Sequence, residues 1–542
     1  MRILVLICLL TISFCNVQAQ VRDQELTDRL DADFKRWLWI KRIIADTAKV
    51  MQSEVAQVKK MKLTTSSVLA PSLRGLAYFT GLEELELNVT SQRDSIELDL
   101  SANKALKRLI CVAFCLRTLN LRQCKELKEL KCYAILLDTL DISQNLKLEK
   151  CSYVFWGDSG LCYLMLPAEP CQLRELSCCG ISMKKLEVKN CPHLRTLNIA
   201  SRTLSSLCVD NCVQLDSLSC HDGILEELNV GNCTALRYLD CSFNRIRELD
   251  LSRNTGLTTV LLQKQEARYL LNENGRTGKL RRLVLPRNNA GGEGLRCLDC
   301  SDNGISELDI SGCTGLQQLN CSFNNLKELN TSCNPELAEL DCGYNFIGAL
   351  DLSANLKLQK VRCGGQGYKW MKKEGEDYRL LKKLLLPLQG ENQQGKRLKE
   401  LDYESTELEI PVRLERYPEL RGLNCSDCGL KKLKLHRNRE LRILDCSHNP
   451  MRKLSLGANR NLTTLNIRLM PLCKLDLKRN TLLERLQCRV EEKNELLLIL
   501  SKDIDLESVS FDTDTYEEEL LKKRGTDKWV HLPPHYIKIR QK

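Results

Sequence analysis

Cysteine is the residue type whose number and spacing in this sequence most directly suggest chemistry. The 542-residue chain contains 29 cysteines, and Cys425-Ser-Asp-Cys428 has the C-x-x-C spacing of a redox dithiol or of half a zinc site. A zinc site would need a second ligand pair, and none stands at a suitable spacing. His531 and His535 do not supply one, because the two prolines between them exclude the helix that would place both imidazoles on one metal. We expect no metal and no cofactor, and redox chemistry at the C-x-x-C motif remains an alternative.

The cysteines occupy fixed positions within a repeat of 21 residues. The pattern of Leu295-Arg-Cys-Leu298-Asp-Cys300-Ser-Asp-Asn303-Gly-Ile305 recurs from Leu316 and again from Leu337. A fixed period over many copies is the signature of a solenoid, in which each turn contacts its neighbours. Counting the first leucine of every unit gives 18 starts: Leu82, Leu106, Leu127, Leu148, Leu173, Leu194, Leu215, Leu236, Leu257, Leu295, Leu316, Leu337, Leu358, Leu398, Leu420, Leu441, Leu462 and Leu483.

One set of cysteines falls at the inward position that leucine would otherwise occupy. Buried cysteine packs as a small apolar group, so we expect these side chains to fill the core. In this register Cys425 is a core residue, and Cys428 replaces an asparagine of neighbouring turns, which favours a structural role for both. The inward set comprises Cys111, Cys132, Cys178, Cys220, Cys241, Cys300, Cys321, Cys342, Cys363, Cys425, Cys446 and Cys488.

A second set precedes the first leucine of a unit by three residues, where other turns carry asparagine. Both side chains can donate to backbone carbonyls of a neighbouring turn, so we expect a hydrogen-bonded ladder rather than obligatory disulfides. Adjacent turns bring equivalent Cα atoms to about 5 Å, so an occasional bridge such as Cys191 to Cys212 is an alternative. The set is Cys124, Cys191, Cys212, Cys233 and Cys313, with Asn103, Asn145, Asn254, Asn334, Asn355, Asn438, Asn459 and Asn480.

Composition limits the classes of partner. The formal net charge is +11, with basic residues spread along the whole chain, whereas nucleic-acid-binding proteins concentrate their charge on one face. We expect no nucleic-acid partner. After the leader no run reaches the roughly 18 apolar residues of a membrane span, so we also expect no integral membrane segment.

The ends of the chain differ from the repeats. Residues 1–19 resemble a cleaved export signal, with one early positive charge, an apolar run and small residues before the cut. Residues 20–75 have apolar side chains at helical spacing, which predicts a helical N-terminal cap, or else a helix that binds a partner or a membrane surface. Residues 491–542 are predicted to form a C-terminal cap with a helix over 513–525.

The solenoid is predicted to span residues 76–490, with insertions near 151–160, 260–279 and 363–380. After each insertion a strand-like segment leads to a proline, at Pro167, Pro286 and Pro387. Proline cannot donate a hydrogen bond to a sheet, so each strand should stop there.

The unit Leu236-Arg-Tyr-Leu239-Asp-Cys241-Ser-Phe-Asn244-Arg-Ile246 resembles the leucine-rich repeat consensus L-x-x-L-x-L-x-x-N-x-L. The second half of each turn, as in Leu249-Asp-Leu251, fits a short repeat with strands on both sides. The resemblance is to bacterial internalin-like and BspA-like surface proteins. It implies parallel β-sheet faces and an exported, non-enzymatic protein that binds another macromolecule, in adhesion or host interaction.

The outward strand positions and the residues beside them are the candidate ligand-binding surface. Polar and aromatic side chains recur there in register, a composition typical of recognition surfaces. The alternative is that the aromatic rings pack over the next turn. The candidates are Tyr238, Asp240, Phe243, Asp299, Gln318, Asn320, Phe323, Glu339, Asp341 and Tyr344, with Tyr368 and Trp370 in the insertion near 363–380.

We expect the partner to be a protein and keep glycan binding as an alternative, for which Tyr368 and Trp370 would be suitable platforms. We expect an exported protein that resides in the periplasm, at the cell surface or outside the cell.

Overall fold

The computed structural model describes residues 23–30, 32–65, 73–89, 95–154, 161–179, 182–265, 279–287, 294–367, 380–388, 397–489, 496–500, 509–511, 520–522, 529–531 and 537–541. The chain divides into two compact units, residues 1–223 and 224–542. The export signal predicted at 1–19 lies outside the described residues, as do most of the three insertions.

The first unit begins with two short helices and continues as a parallel solenoid. The helices are α1 (Ala32–Ile40) and α2 (Gln52–Ala56), and a 3-10 turn spans Leu73–Tyr78. Phe34 and Leu38 of α1 are fully buried, and the Phe34 ring lies 5.9 Å from that of Phe79. The strands are β1 (Lys60–Thr65), β2 (Glu84–Val89), β3 (Ile96–Asp99), β4 (Arg108–Ala113), β5 (Leu116–Asn120), β6 (Glu129–Tyr133), β7 (Thr139–Asp141), β8 (Lys150–Val154), β9 (Tyr163–Met165), β10 (Glu175–Cys179), β11 (Lys185–Glu187), β12 (Thr196–Ala200), β13 (Ser206–Cys208) and β14 (Ser217–Ser219).

Two kinds of sheet build the first unit. β1 and the even-numbered strands pair in parallel and in register, one strand per turn. The odd-numbered strands from β3 to β13 belong to the second half of each turn and pair two by two.

The second unit repeats this plan with shorter strands. They are β15 (Tyr238–Asp240), β16 (Glu248–Asp250), β17 (Thr259–Leu261), β18 (Arg282–Val284), β19 (Cys297–Asp299), β20 (Gln318–Asn320), β21 (Glu339–Asp341), β22 (Ala349–Asp351), β23 (Lys360–Arg362), β24 (Lys383–Leu385), β25 (Glu400–Asp402), β26 (Gly422–Asn424), β27 (Ile443–Asp445), β28 (Thr464–Asn466), β29 (Lys474–Leu477), β30 (Arg485–Cys488), β31 (Leu496–Leu500), β32 (Val509–Phe511), β33 (Leu520–Lys522), β34 (Trp529–His531) and β35 (Ile537–Gln541), with a 3-10 turn at Leu414–Arg416.

In the second unit, β15, β17, β19, β20, β21, β23, β25, β26, β27, β28, β30 and β32 form the main parallel sheet. The second half-turns are strands in part, pairing as β16–β18, β22–β24 and β29–β31–β35. Residues 305–310 and 326–330 have the same sequence pattern but form no strand. The predicted parallel solenoid is therefore confirmed, whereas strands on both sides of every turn are not.

The structure tests the predicted strand ends before three prolines and the predicted C-terminal helix. β9, β18 and β24 each end two residues before Pro167, Pro286 or Pro387, as the missing amide hydrogen requires. The predicted helix over 513–525 is wrong where it can be compared, because β33 lies inside it and pairs antiparallel with β34. The helical caps are thus not confirmed: both described helices lie in the N-terminal segment.

The core consists of the leucines and cysteines that alternate with outward residues along each strand. Successive strand residues point to opposite faces, so the in-register pairing stacks like upon like. Every cysteine of the inward set has at most 1% of its surface exposed, which confirms its place in the core. No disulfide joins any of the 27 cysteines within the described ranges, and the Cys191–Cys212 bridge is therefore not formed.

Buried side-chain donors hold successive turns together at the position three residues before each unit. We call this series the half-turn ladder. Asn334 is fully buried, and its Nδ2 donates to the carbonyls of Ile310 and Cys313 at 3.0 and 2.8 Å. The thiols of Cys124 and Cys212 donate to the carbonyls of Leu100 and Val188 at 3.2 and 3.3 Å. The predicted exchange of asparagine and cysteine as donors is confirmed.

The half-turn ladder requires donors rather than acceptors. Seven of its asparagines keep a buried Oδ1 without a partner, namely Asn103, Asn145, Asn254, Asn334, Asn438, Asn459 and Asn480. At Asn355 the same oxygen accepts from the Thr331 hydroxyl at 2.7 Å. Cysteine fits this position because its thiol donates without leaving a strong acceptor buried and unsatisfied.

Replacing Asn334 by alanine tests the half-turn ladder. The substitution leaves two buried carbonyls without their donor, and we expect it to lower the free energy of unfolding by about 1–3 kcal/mol. Asn334→Cys should lose less, because cysteine serves at the same position in other turns. Chemical denaturation followed by circular dichroism measures both, with the exposed Lys327→Ala as the control. Equal losses for Asn334→Ala and the control would contradict the ladder.

Candidate functional site

The predicted binding columns lie on the outward face of the main sheet in the second unit. Gln318 of β20 is paired with Glu339 of β21, and Asn320 with Asp341. On the other side of β20, Asp299 is paired with Asn320. Tyr238 and Asp240 lie two strands before β19, joined to it through β17. The structure therefore brings these candidates into two straight columns, as the sequence predicts.

One of these columns contains Asp299, Asn320 and Asp341. Its side chains also stabilise the backbone turn that follows each strand, which the sequence did not predict. Where a turn of the second unit carries Asp or Asn in this column, the side-chain Oδ1 accepts a hydrogen bond from the backbone amide two residues later, which is an Asx turn. Asp299 accepts from Ser301 at 3.0 Å, and Asn320 accepts from Ser322 at 3.2 Å. The same bond recurs at Asp240, Asp341, Asp402, Asn424, Asp445 and Asn466. One oxygen of each side chain is thus already engaged.

The column is also linked along its length. Asn320 donates to Asp299 at 3.2 Å, and Asn466 donates to Asp445 at 2.7 Å. Alternation of amide and carboxylate lets neighbouring turns pair without placing two negative charges side by side. These bonds hold the side chains in fixed orientations at the surface.

The Asx turn leads into a residue with left-handed backbone conformation. In the second unit this position has φ from 51° to 66° at Phe243, Lys264, Asp302, Phe323, Tyr344, Gly365, Ser405, Asp427, His448 and Leu469. Such φ values cost energy for residues other than glycine and persist where the surrounding structure imposes them. Three of the predicted aromatic candidates, Phe243, Phe323 and Tyr344, belong to this column.

Phe323 and Tyr344 stack on one another and are half-buried. Their ring centroids are 4.3 Å apart and their planes differ by 9°. Tyr344 continues the stack over Gly365, where an added Cβ would lie 2.5 Å from the Tyr344 ring. The Tyr344 hydroxyl donates to Glu404. The rings therefore pack over adjacent turns and present their remaining surface outward. Tyr368 and Trp370 lie outside the described residues.

Arg362 adds a cation beside this aromatic pair, and the sequence reasoning did not single it out. It occupies the column position that most turns of the second unit give to Asp or Asn, and its side chain is 60% exposed. Its guanidinium lies 3.9 Å from both Asp341 and Glu400. We define the Arg362 patch as Phe323, Asp341, Tyr344 and Arg362. Inspection of the column for a break in its Asp/Asn pattern would have found the arginine.

Asp402 lies one strand beyond Arg362 and is largely buried. Burial, reinforced by the nearby Glu404 carboxylate, raises the pKa of Asp402 to about 6. Asn424 donates to Asp402 at 3.2 Å and to Glu404 at 2.9 Å. Burial likewise raises the pKa of Asp341.

The outward face of the first unit differs from that of the second because opposite charges alternate along it. Lys60 pairs with Glu84 at 2.7 Å, Arg108 with Glu129 at 2.8 Å, and Lys150 with Glu175 at 2.6 Å. The two charges within each of these partly exposed pairs neutralise one another.

Two adjoining grooves lie on the opposite face of the second unit. The larger, of about 980 Å³, has Leu308, Leu329 and Leu350 among its lining residues. The smaller, of about 560 Å³, contains Leu388 and Ile410, and Ile410 is 76% exposed. Both grooves share Leu385. This face is a second surface with room for a ligand.

The C-x-x-C motif is built into the scaffold. Cys425 is fully buried, and burial raises the pKa of its thiol well above the usual value. Cys428 donates to the carbonyls of Tyr403 and Ser426, each at 3.2 Å, and burial raises its pKa too. A second C-x-x-C, Cys297-Leu-Asp-Cys300, has one thiol on the outward face and one in the core. Among the described residues no cluster of His, Cys, Asp and Glu suits a metal ion.

The buried environment predicts which thiols react. Cys333 and Cys473 are exposed, whereas Cys425 lies in the core. With iodoacetamide at pH 7.5, we expect the folded protein to be labelled at Cys333 and Cys473 well before Cys425 or Cys428, as mapped by peptide mass spectrometry. Preferential labelling of Cys425 or Cys428 would favour the redox alternative and contradict the structural role.

The raised pKa of Asp402 predicts a pH-dependent stability. A raised pKa in the folded state stabilises fully below the pKa of the unfolded chain, near 4, and the contribution is lost as the pH rises through 6. Asp402→Asn should abolish this loss. Between pH 4 and pH 7.5 we expect wild type to lose on the order of 2 kcal/mol relative to the variant in denaturation experiments. Asp445→Asn, at the same column position, is the matched control. Parallel pH profiles for wild type and Asp402→Asn would contradict the assignment.

Comparison with solved structures identifies related folds. YopM from Yersinia enterocolitica WA-314 has 20% sequence identity and a TM-score of 0.50, with 86% of this chain and 95% of YopM covered. The Toll–Spatzle complex of Drosophila has 14% identity and a TM-score of 0.50, with 86% and 63% covered. The functional domain of InlJ from Listeria monocytogenes, described as including a cysteine ladder, has 20% identity and a TM-score of 0.48, with 92% and 85% covered.

No protein-family model and no curated protein matches the sequence. The described helices include none long and apolar enough to cross a membrane. The 21-residue repeat, the in-register parallel strands and the likeness to YopM and Toll together show that this chain has a leucine-rich repeat fold.

Proposed function

We propose that the chain is an exported, non-catalytic recognition protein that binds another protein through the outward face of the second unit. The observation that carries this proposal is the Arg362 patch, in which a stacked aromatic pair lies beside a well-exposed arginine. Tyrosine and arginine are enriched among the residues that contribute most to protein–protein binding. The Asx turns hold the neighbouring side chains in place, so little conformational entropy is lost when a ligand binds.

Several features support a protein ligand. The patch lies on the outward face of a parallel sheet, whereas small molecules usually occupy enclosed pockets. One chain with a similar fold, Toll, is found in complex with Spatzle. The remaining predicted candidates, Tyr238, Asp240, Phe243, Asp299, Gln318, Asn320 and Glu339, extend the surface along the same two columns and the neighbouring left-handed column. Adhesion or host interaction is the role we infer for such a surface on an exported protein.

Glycan binding is the alternative for the same surface, because stacked aromatic rings and fixed carboxylates also suit sugars. The two ligand classes differ in the expected result of a binding screen: a glycan array would identify a sugar, whereas cross-linking to immobilised chain would capture a protein.

The test uses immobilised full-length chain to capture ligand proteins from the surface fraction of candidate host cells, followed by affinity measurement with the purified ligand. We expect Arg362→Ala to weaken binding about tenfold, as for a central interface residue. Lys327→Ala, in the groove of the opposite face, should bind like wild type. Loss of binding in Lys327→Ala but not in Arg362→Ala would place the interaction on the grooved face and overturn the proposal.

The proposed export to the cell surface can be tested separately from ligand binding. Protease treatment of intact cells, followed by immunoblotting, should degrade the protein if it is displayed at the surface. A protein that survives intact while a known surface protein is degraded would contradict the adhesion role.

A further inference from the structure

One member of the half-turn ladder departs from the pattern of the others. The thiols of Cys124, Cys212 and Cys313 point at backbone carbonyls of the preceding turn, at 3.2 to 3.5 Å. The sulfur of Cys191 instead faces the sulfur of Cys171, and the two Sγ atoms are 3.4 Å apart. Cys171 does not stand at the ladder position, since it precedes Leu173 by two residues rather than three.

The backbones of the two cysteines are also held close together. The amide of Cys171 donates to the carbonyl of Asn190, the residue before Cys191, at 3.1 Å. The next amide, of Gln172, donates to Leu146 at 3.0 Å, and Asn190 donates to Ala168 at 2.7 Å. The pair is therefore fixed by hydrogen bonds on both sides of Cys171.

We propose that Cys171 and Cys191 form an intramolecular disulfide, and that this pair is the redox-active thiol site of the chain. A disulfide needs the sulfurs to approach to about 2.05 Å, a shift that rotation of the two side chains supplies when the backbones are already adjacent. The proposal is independent of the ligand-binding role and also differs from the Cys191–Cys212 bridge. Cys212 is unsuited to that bridge because its thiol points to the Val188 carbonyl.

The reaction is thiol–disulfide exchange with a small external disulfide as the oxidant. The Cys171 thiolate attacks one sulfur of the oxidant, whose S–S bond breaks and releases one thiolate. The Cys191 sulfur then attacks Cys171 in the mixed disulfide, loses its proton to solvent or to the released thiolate, and expels the second external thiolate. Two protein thiols are oxidised by two electrons, and the external disulfide is reduced to two thiols.

The environment assigns the two roles. The contact with Cys191 lowers the pKa of Cys171, and the same contact together with burial raises the pKa of Cys191. Both sulfurs are buried, but Cys171 lies between Pro170 and Gln172, which are exposed. Local opening of this surface turn therefore gives the oxidant access to Cys171 first.

Peptide mapping of the full-length protein tests the proposal. The reduced protein is incubated with oxidised glutathione, alkylated under denaturing conditions and digested with trypsin without reduction. Trypsin should release residues 151–174 and 190–195 as separate peptides from reduced protein and as one linked species from oxidised protein. Because the first peptide also contains Cys151 and Cys162, the assignment requires variants.

The linked species should disappear in Cys171→Ser and in Cys191→Ser and persist in Cys162→Ser and Cys212→Ser. Circular dichroism of each variant identifies any that fails to fold, and using two variants at the pair keeps the test decisive. A link between residues 190–195 and the Cys212 peptide, a link that persists in Cys171→Ser, or no linked species in oxidised wild type would overturn the proposal.

Discussion

Buried side chains that bond to the backbone are the constraint on which this solenoid depends. Each turn changes direction after its strand, which leaves amides and carbonyls inside the coil without strand partners. Asn324 illustrates the solution: its Nδ2 donates to the carbonyls of Cys300, Cys321 and Ser322, and its Oδ1 accepts from the amide of Ile305. An unsatisfied buried backbone group costs about as much as a lost hydrogen bond, so these side chains determine how closely turns can stack. In the second half of each turn, the side chains of the half-turn ladder also bond to backbone carbonyls, and there they act as donors.

This inner requirement determines what the surface offers. In the second unit, the Asx turns use one oxygen of each Asp or Asn in the outward column, so the column first predicted to bind a ligand is partly structural. What remains for recognition are the sites where the pattern changes. Arg362 replaces the acidic residue, and the left-handed position carries Phe323 and Tyr344 in successive turns. The regular turns provide rigidity, and we propose that the exceptions provide specificity.

The sequence was sufficient to predict the features that follow from the repeat itself. The period predicted the parallel strands, the inward cysteines and the exchange of Asn334-type donors with cysteine, and proline predicted the strand ends. It was insufficient to predict features that depend on contacts between residues far apart in the chain. The local signals of a helix over 513–525 yielded to strand formation that needs β34 as a partner. Cys171 was not predicted to contact Cys191, because it lies one place out of the repeat register after the preceding insertion. The sequence also did not predict that outward-facing Asp299 forms an Asx turn, because this follows from its hydrogen bond with Ser301.

Hydrogen exchange at the turn amides tests most directly the claim that buried side chains hold the turns. The amides of Ile305, Leu326 and Leu430 lie outside the strands and donate to the Oδ1 atoms of Asn324, Asn345 and Asn449 at 2.8 to 3.0 Å. Residue-resolved exchange should find them protected as strongly as neighbouring strand amides, and Asn324→Ala should release Ile305 selectively. Exchange of all three amides at the rate of exposed loops would contradict the account.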